Sequence, residues 1–373
     1  MKRLPALLTL CLCLLFAAAP ALAEEAPPKV LFLTPSQPGE NSFWARFTDF
    51  MRVAADDLGI ELEVVYSKDR FSVVDNARRA IYRPAPPDYV VFIYQAKNSL
   101  DMLDMLDRAD IKSVICNTDV IAAERNAAGS PRGRHKNWIG HLFPDDILAG
   151  RMLADRLIKR GFELGLTDND GVLHLPGIGG SRDTTSGLHR KKGLEQAINR
   201  TPKVFLERYV WTDWTRDTAR TKTLRLLDMY PDCRVFWSIH DETALGTLDA
   251  ADAKGFHPRK NFLAGGVGWA EEGLDAVRDG RLEALVGGHF MDGAWSLIMI
   301  FDYHNGHDFA DPLPTLHSEM RLLDQDNVDD YLPLLDRANW KRIDFGQFTK
   351  TRNPRRTRYD FNPDAVLRQL NGK

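Results

Sequence analysis

The turn SQPGENSFW (36–44) ends in Asn41, Ser42, Phe43 and Trp44, an amide and a hydroxyl beside two large aromatic faces. Similar sets recur along the chain. Lys68, Asp69 and Arg70 follow a second apolar run, Gln95 and Asn98 a third, Asn117 and Asp119 a fourth. Further on come Trp211, Asp213 and Trp214, then His240 and Asp241, then Gly268 and Trp269, then His289. Amides and carboxylates can fix hydroxyls by paired hydrogen bonds, and aromatic rings cover C–H faces. The mixture suits recognition of a polar, mostly uncharged small molecule.

Each group also has a structural role open to it. Trp44 fits as the first core residue of a helix. Asp213 and Asp241 fit as helix N-caps, His240 as a structural histidine, and Trp211 and Trp214 as packing residues. Catalytic motifs do not assemble. GIGGSRD (177–183) would need glycine in place of Asp183 to form G-x-S-x-G. The glycine spacings of dinucleotide and phosphate loops do not occur. His304 and His307 in HNGHD have no third metal ligand in view. The expectation is a binding protein, not an enzyme, with no cofactor and no metal.

The elements that must position these groups are apolar runs of strand length. They are KVLFLT (29–34), ELEVVYS (61–67), DYVVFIY (88–94), KSVICN (112–117), NWIGHL (137–142), GVLHLPG (171–177), VFLERYVW (204–211), RVFWSI (234–239), NFLAGGV (261–267) and ALVGGHF (284–290). Most are continuous rather than alternating, as in parallel strands covered on both faces. Helical patterns lie between them. FPDDILAGRMLADRLIKRG places acids at its start and Lys159, Arg160 and Gly161 at its end, complementing the helix dipole and stopping the helix. Strand–helix alternation predicts βαβ units, and the length predicts two α/β lobes. Ligands of such sheets sit beyond the carboxyl ends of the strands, where the polar and aromatic sets fall.

The 373 residues are 27% charged and 44% hydrophobic, with a formal charge of −3. Neither the charge nor any motif points to nucleic acid. Residues 1–23 read as a cleavable signal peptide: Lys2 and Arg3, an apolar stretch, then Ala21-Leu22-Ala23. The expectation is a periplasmic protein. Leu10 before Cys11 and Glu24 after Ala23 argue against lipidation. Cys116 and Cys233 remain, read as two separate buried thiols, with a disulfide as the alternative. From about residue 317 the rhythm breaks. Lys350, Arg352, Arg355, Arg356 and Arg358 make residues 346–373 a basic tail, either solvated or a docking strip for an acidic partner or lipid headgroups.

Over roughly residues 29–316 the chain resembles the type I periplasmic binding proteins, the ribose- and galactose-binding group. The family's N-P-F-[FW] loop appears as Asn41-Ser42-Phe43-Trp44. Its arginine before a helical Gly-Phe appears as Arg190, ahead of Gly193-Leu194. Its P-D-x-x-x-[VF]-[FW]-x-x-N-D-x-x-A-L-G pattern appears from Pro231 to Gly246, and D-G-x-[LM]-x-A-[TL]-V from Asp279 to Val286. The chain departs from the pattern where a sugar-binding Asn becomes His240, where an Asp becomes Gly268, and where the polar residue after the last strand becomes Gly288 or His289. It is also similar to the autoinducer-2 receptor, at Trp44, Asn117, Arg190 and Asp241.

The resemblance implies two Rossmann-like lobes with parallel sheets, joined by a three-segment hinge with crossings near Gly140, Gly288 and Leu316. One lobe would hold 29–140 and 289–316, the other 141–288 and 317–345. The ligand would lie between them, held by Asn41, Phe43, Trp44, Asp69, Gln95, Asn117, Arg190, Trp211, His240, Asp241, Trp269 and His289. The implied partners of a monomer are a small sugar-like ligand and a membrane permease, or alternatively a sensor-protein ectodomain. A repressor with the same core would carry a DNA-reading motif where this chain has its leader.

Overall fold

The computed structural model describes residues 26–35, 37, 42–310 and 312–372. The apolar runs form strands. The first lobe opens with β1 (Lys29–Thr34), α1 (Ser42–Leu58), β2 (Glu61–Tyr66), α2 (Arg70–Ile81), β3 (Tyr89–Ile93), α3 (Ser99–Arg108), β4 (Lys112–Cys116), the short α4 (Arg125–Ala128) and β5 (Trp138–Pro144). The second lobe begins with α5 (Asp146–Glu163), β6 (Leu173–His174), β7 (Gly177–Ile178), α6 (Thr185–Arg200), β8 (Val204–Phe205), β9 (Tyr209–Val210) and α7 (Arg216–Met229). It continues with β10 (Val235–Ser238), α8 (Asp241–Ala253), β11 (Leu263–Val267), α9 (Glu271–Arg278) and β12 (Ala284–Gly287). The chain returns through α10 (Asp292–His304) and β13 (Thr315–Ser318), then crosses again to β14 (Arg321–Asp324).

One sheet has the order β13-β5-β4-β3-β1-β2 and is wholly parallel. The other runs β14-β12-β11-β10-β7-β9, and only its edge strand β14 is antiparallel. Strands such as β3 are buried along their whole length, because helices cover both faces. The run 204–211 is not one strand. Pro176 has no N–H to extend the ladder, and Leu175 N–H and Gly177 N–H bond to Phe205 O and Arg208 O, a slip of one residue. The ladder therefore divides into a small sheet of β6 and β8 and the main-sheet pair of β7 and β9.

The crossings fall at residues 144–146, 287–292 and 318–321, so two of the expected positions move. His141–Pro144 still pair with Thr315–Ser318 in the first sheet. Gly140 is mid-strand, where a Cβ would lie 2.6 Å from the Phe309 ring. Cys116 and Cys233 are separate buried thiols. Among the described residues no helix is long and apolar enough to cross a membrane.

The largest correction concerns the C-terminus. Residues 346–373 were expected as a basic tail. Instead Trp340 packs edge-on against Phe50 of α1 at 5.0 Å, and Phe348 against Trp295 of α10 at 5.1 Å. Phe361 stacks on Trp295, 5.0 Å between centroids. Lys350 N–H and Thr351 N–H bond to Asp302 at 2.7 and 2.8 Å, and Arg352 reaches the backbone carbonyl of Asp57. Helices α11 (Leu332–Leu335) and α12 (Pro363–Leu370) complete this strap. Its aromatics carry enough buried surface to override the local excess of charge.

Candidate functional site

A cavity of about 390 Å³ lies between the lobes. Its floor is built by Arg190 of α6, His240 at the start of α8, His289 beyond β12, and Asn117 beyond β4. Phe43 and Trp44, in the first turn of α1, form one wall, and Trp214 faces them from the second lobe. The Phe43 ring lies 4.7 Å from the His289 ring and 6.1 Å from His240, edge-on. Gln95, Asp183 and Asp213 also line the cavity.

Arg190 is buried by a close helix crossing. A Cβ on Gly150 of α5 would lie 2.1 Å from Arg190 O, and one on Gly193 of α6 would lie 2.1 Å from Ile147 O. Only glycine allows this approach. Gly193→Ala should therefore push α6 outward, cost at least about 1–3 kcal/mol, and weaken ligand binding with stability, as a thermal melt and a titration of the same variant will show.

The Arg190 guanidinium is shared among three acceptors: Nε–H to Asp146 Oδ1 at 2.7 Å, Nη1–H to Ile239 O at 3.1 Å, and Nη2–H to His289 Nε2 at 3.2 Å. A guanidinium only donates, so His289 Nε2 accepts and Nδ1 carries the ring proton. That Nδ1–H is buried with no partner among the described residues. Burial, and then Arg190, hold the imidazole far below its usual pKa, so it stays neutral. Burial raises the Asp146 carboxyl pKa despite Arg190. Arg190, the only Lys or Arg among the described residues lining the cavity, is thus already paired, which favours an uncharged ligand.

Asn117 has φ +63°, a left-handed conformation that Asn tolerates. Its Nδ2–H donates to Asp292 Oδ2 at 3.2 Å and to His289 O at 3.5 Å. His240 caps α8 and has Nδ1 2.9 Å from Asp241 Oδ1. Asp241 is fully buried beneath it and accepts from Ala270 N–H at 2.7 Å and Glu242 N–H at 2.9 Å. Burial works to raise the Asp241 pKa, but His240 and those two N–H groups outweigh it and hold the carboxyl below its usual range. Asp241 joins the starts of α8 and α9 and does not line the cavity.

The structure brings together seven of the expected residues: Phe43, Trp44, Gln95, Asn117, Arg190, His240 and His289. Asn41 lies outside the described residues. Asp69 is an exposed N-cap of α2, accepting from Phe71 N–H and Ser72 N–H at 3.0 and 2.8 Å. Trp211 packs against Tyr209 and under Arg182, away from the cavity. Trp269 is buried below Gly287, where a Cβ would lie 2.4 Å from its ring. Trp214, with Nε1–H on Ser181 Oγ at 2.9 Å, takes the place expected of these tryptophans. The hydroxyls of Ser181, Thr184 and Ser186 also line the cavity. Their signal was a polar turn after β7, in the segment that fails as a nucleophile motif.

The lobes touch across the mouth. Ala96 N–H donates to Asp183 O at 3.3 Å. Thr185 Oγ1 accepts from Asp119 N–H at 2.8 Å and donates to Asp119 O at 3.1 Å. This is a closed cleft.

Two α/β lobes closed over a polar, aromatic-walled cavity define a solute-binding protein. The chain belongs to the periplasmic binding protein domain family, whose model matches residues 31–306. The family binds solutes and is not catalytic. The chain is 29% identical to a periplasmic sugar-binding protein from Pseudomonas fluorescens, with a TM-score of 0.81 over 91% of this chain and 99% of that one. It is 25% identical to the ribose import binding protein RbsB of Escherichia coli K12 over 66% of this chain and 75% of that protein. Its 28% match to RbsB of Salmonella typhimurium covers 40% of this chain and spans about half of that relative, 46%.

Proposed function

We propose that this chain is the solute-binding component of a sugar importer: it takes an uncharged sugar-like ligand into the interlobe cleft and delivers it to an ABC transporter permease. The floor of the cleft carries the argument. Its guanidinium is already paired, while a buried N–H of His289 lacks an acceptor among the described residues, which a ligand hydroxyl or ring oxygen would supply. Aromatic faces on both sides suit the C–H surfaces of a sugar. The similar proteins named for sugar binding and ribose import support the same reading. Export by a leader over residues 1–23 and a periplasmic location belong to this proposal. A receptor that signals through a membrane kinase or cyclase drew on a free basic tail and on the altered sugar positions His240, Gly268 and His289. The packing of that segment removes the first of these grounds, and the similar proteins named for import favour the importer.

A thermal-shift panel of pentoses, hexoses, furanoses and polyols on refolded protein tests it. A ligand at about a thousand times its dissociation constant adds roughly 4 kcal/mol, so one class should raise the midpoint by several degrees. Silence across the panel from a folded protein would sink the reading. Trp44→Ala should weaken the active ligand at least about tenfold, or 1.4 kcal/mol, while the ligand-free midpoint stays nearly unchanged. Unchanged affinity on titration would remove Trp44 from the site.

A further inference from the structure

The strap does more than cover apolar surface. It is fastened to the first lobe through Asp302 of α10, which holds Lys350, Thr351 and Tyr359, and through Phe345 N–H on Asp57 Oδ2 of α1 at 2.9 Å. It then runs along the hinge. Phe361 O accepts from Glu319 N–H at 2.9 Å, within the third crossing. Pro363 sits over Gly288 in the second, where φ is +110° and a Cβ would lie 2.5 Å from the proline ring. Asp364 accepts from Arg321 Nε–H at 2.7 Å and from Tyr331 OH at 2.5 Å, and both partners lie on the second-lobe side of the hinge.

A second tie lies beside it. Arg46 projects from α1 and donates to Trp269 O in the second lobe and to Leu335 O in the strap. Its guanidinium lies 5.1 Å from the Phe290 ring and 5.8 Å from the Trp340 ring. One residue of the first lobe thus holds both the second lobe and the strap.

We propose that the strap is a hinge stop: it limits how far the two lobes open, because rotation about the three crossings pulls the Asp364 contacts away from Arg321 and Tyr331. A segment anchored to one lobe, packed over the second crossing and bonded to the third crossing and to Tyr331 beyond it, must break or stretch those bonds when the lobes part. The ligand-free protein then stays near the closed arrangement, and a ligand meets a cleft that is already largely organised. The inference rests on the cleft-closure reading of the proposed function.

Spin labels on Asp101→Cys in α3 and Lys192→Cys in α6, both exposed and on opposite lobes, report the opening. Interlabel distances are compared for the otherwise unaltered protein and for Arg321→Ala/Asp364→Ala, without ligand and with the panel sugars. The double variant should shift to longer ligand-free distances. Tyr331→Phe, which removes one hydroxyl, should shift the same way by less, and serves if the double variant does not fold. A folded variant with the unaltered protein's ligand-free distances would overturn the hinge stop. Sugars that shorten no distance in an opened variant would count against the ligand reading, while that variant's ligand-free opening still supports the stop.

Discussion

Asp302→Ala should lower stability by about 3–5 kcal/mol, because it strands several buried donors at roughly 1–3 kcal/mol each. The carboxylate is fully buried on α10. It accepts four hydrogen bonds: from Lys350 N–H at 2.7 Å, Thr351 N–H at 2.8 Å, Thr351 Oγ1–H at 2.7 Å and Tyr359 OH at 2.7 Å. Burial, and then Asp302, push the Tyr359 hydroxyl pKa up, so it stays a donor. Alanine leaves all four donors facing a cavity. The thermal midpoint should fall by roughly 5–10 °C, and residues 350–359 should become the first site of limited proteolysis. Asp302→Asn keeps one acceptor oxygen and should lose about half as much. A midpoint within a degree of the original would show that the strap holds without this anchor.

The second large effect is a pH dependence. Asp292, at the start of α10 beside the second crossing, is fully buried, and its pKa is pushed up to about 8, chiefly by burial. The hydrogen bond from Asn117 pulls it down, and Asp146 adds to the rise. The folded protein therefore keeps this proton up to about pH 8, whereas the unfolded chain releases it near 3.8. Between those values the folded state binds more protons, so stability falls as pH rises, by up to about 1.4 kcal/mol per pH unit. Above about pH 8 the loss levels off. Asp292→Asn cannot ionise and can still accept from Asn117. Urea unfolding at pH 5, 7 and 9 should show the variant gaining on the original protein as pH rises, by a few kcal/mol at pH 9. Parallel curves would mean that Asp292 is not the group that titrates.

The lobes were legible in the sequence because a strand covered on both faces must be apolar nearly throughout, as β3 is at every position. The crossings were placed less well. His141 pairs with Thr315 and Leu142 with Leu316 as ordinary strand residues, and nothing local marks where the ladder stops. In the site, residues at strand ends were found together with false companions, because a strand end supplies a cap as readily as a contact. Asp69 and Asp241 are caps or ties by virtue of the N–H groups above them. Trp269 and Trp214 both follow a strand, but what lies over each ring differs, and Gly287 draws Trp269 inward. The strap was the least legible. Its anchor, Asp302, lies about fifty residues upstream, and its arginines resemble a solvated segment until Asp57 and the carbonyls that receive them are in place.

The strap also sets the order in which the protein can be finished. Arg46 waits for Leu335, and Asp57 for Phe345, partners 289 and 288 residues downstream. At about 5–20 residues per second of synthesis, that interval is on the order of tens of seconds. Throughout it the flank of α1 that Trp340 and Phe345 will cover stays bare. The lobe made first is the lobe completed last, so its native state is out of reach until nearly the whole chain has been made. Such long-separated contacts also predict slow refolding from denaturant.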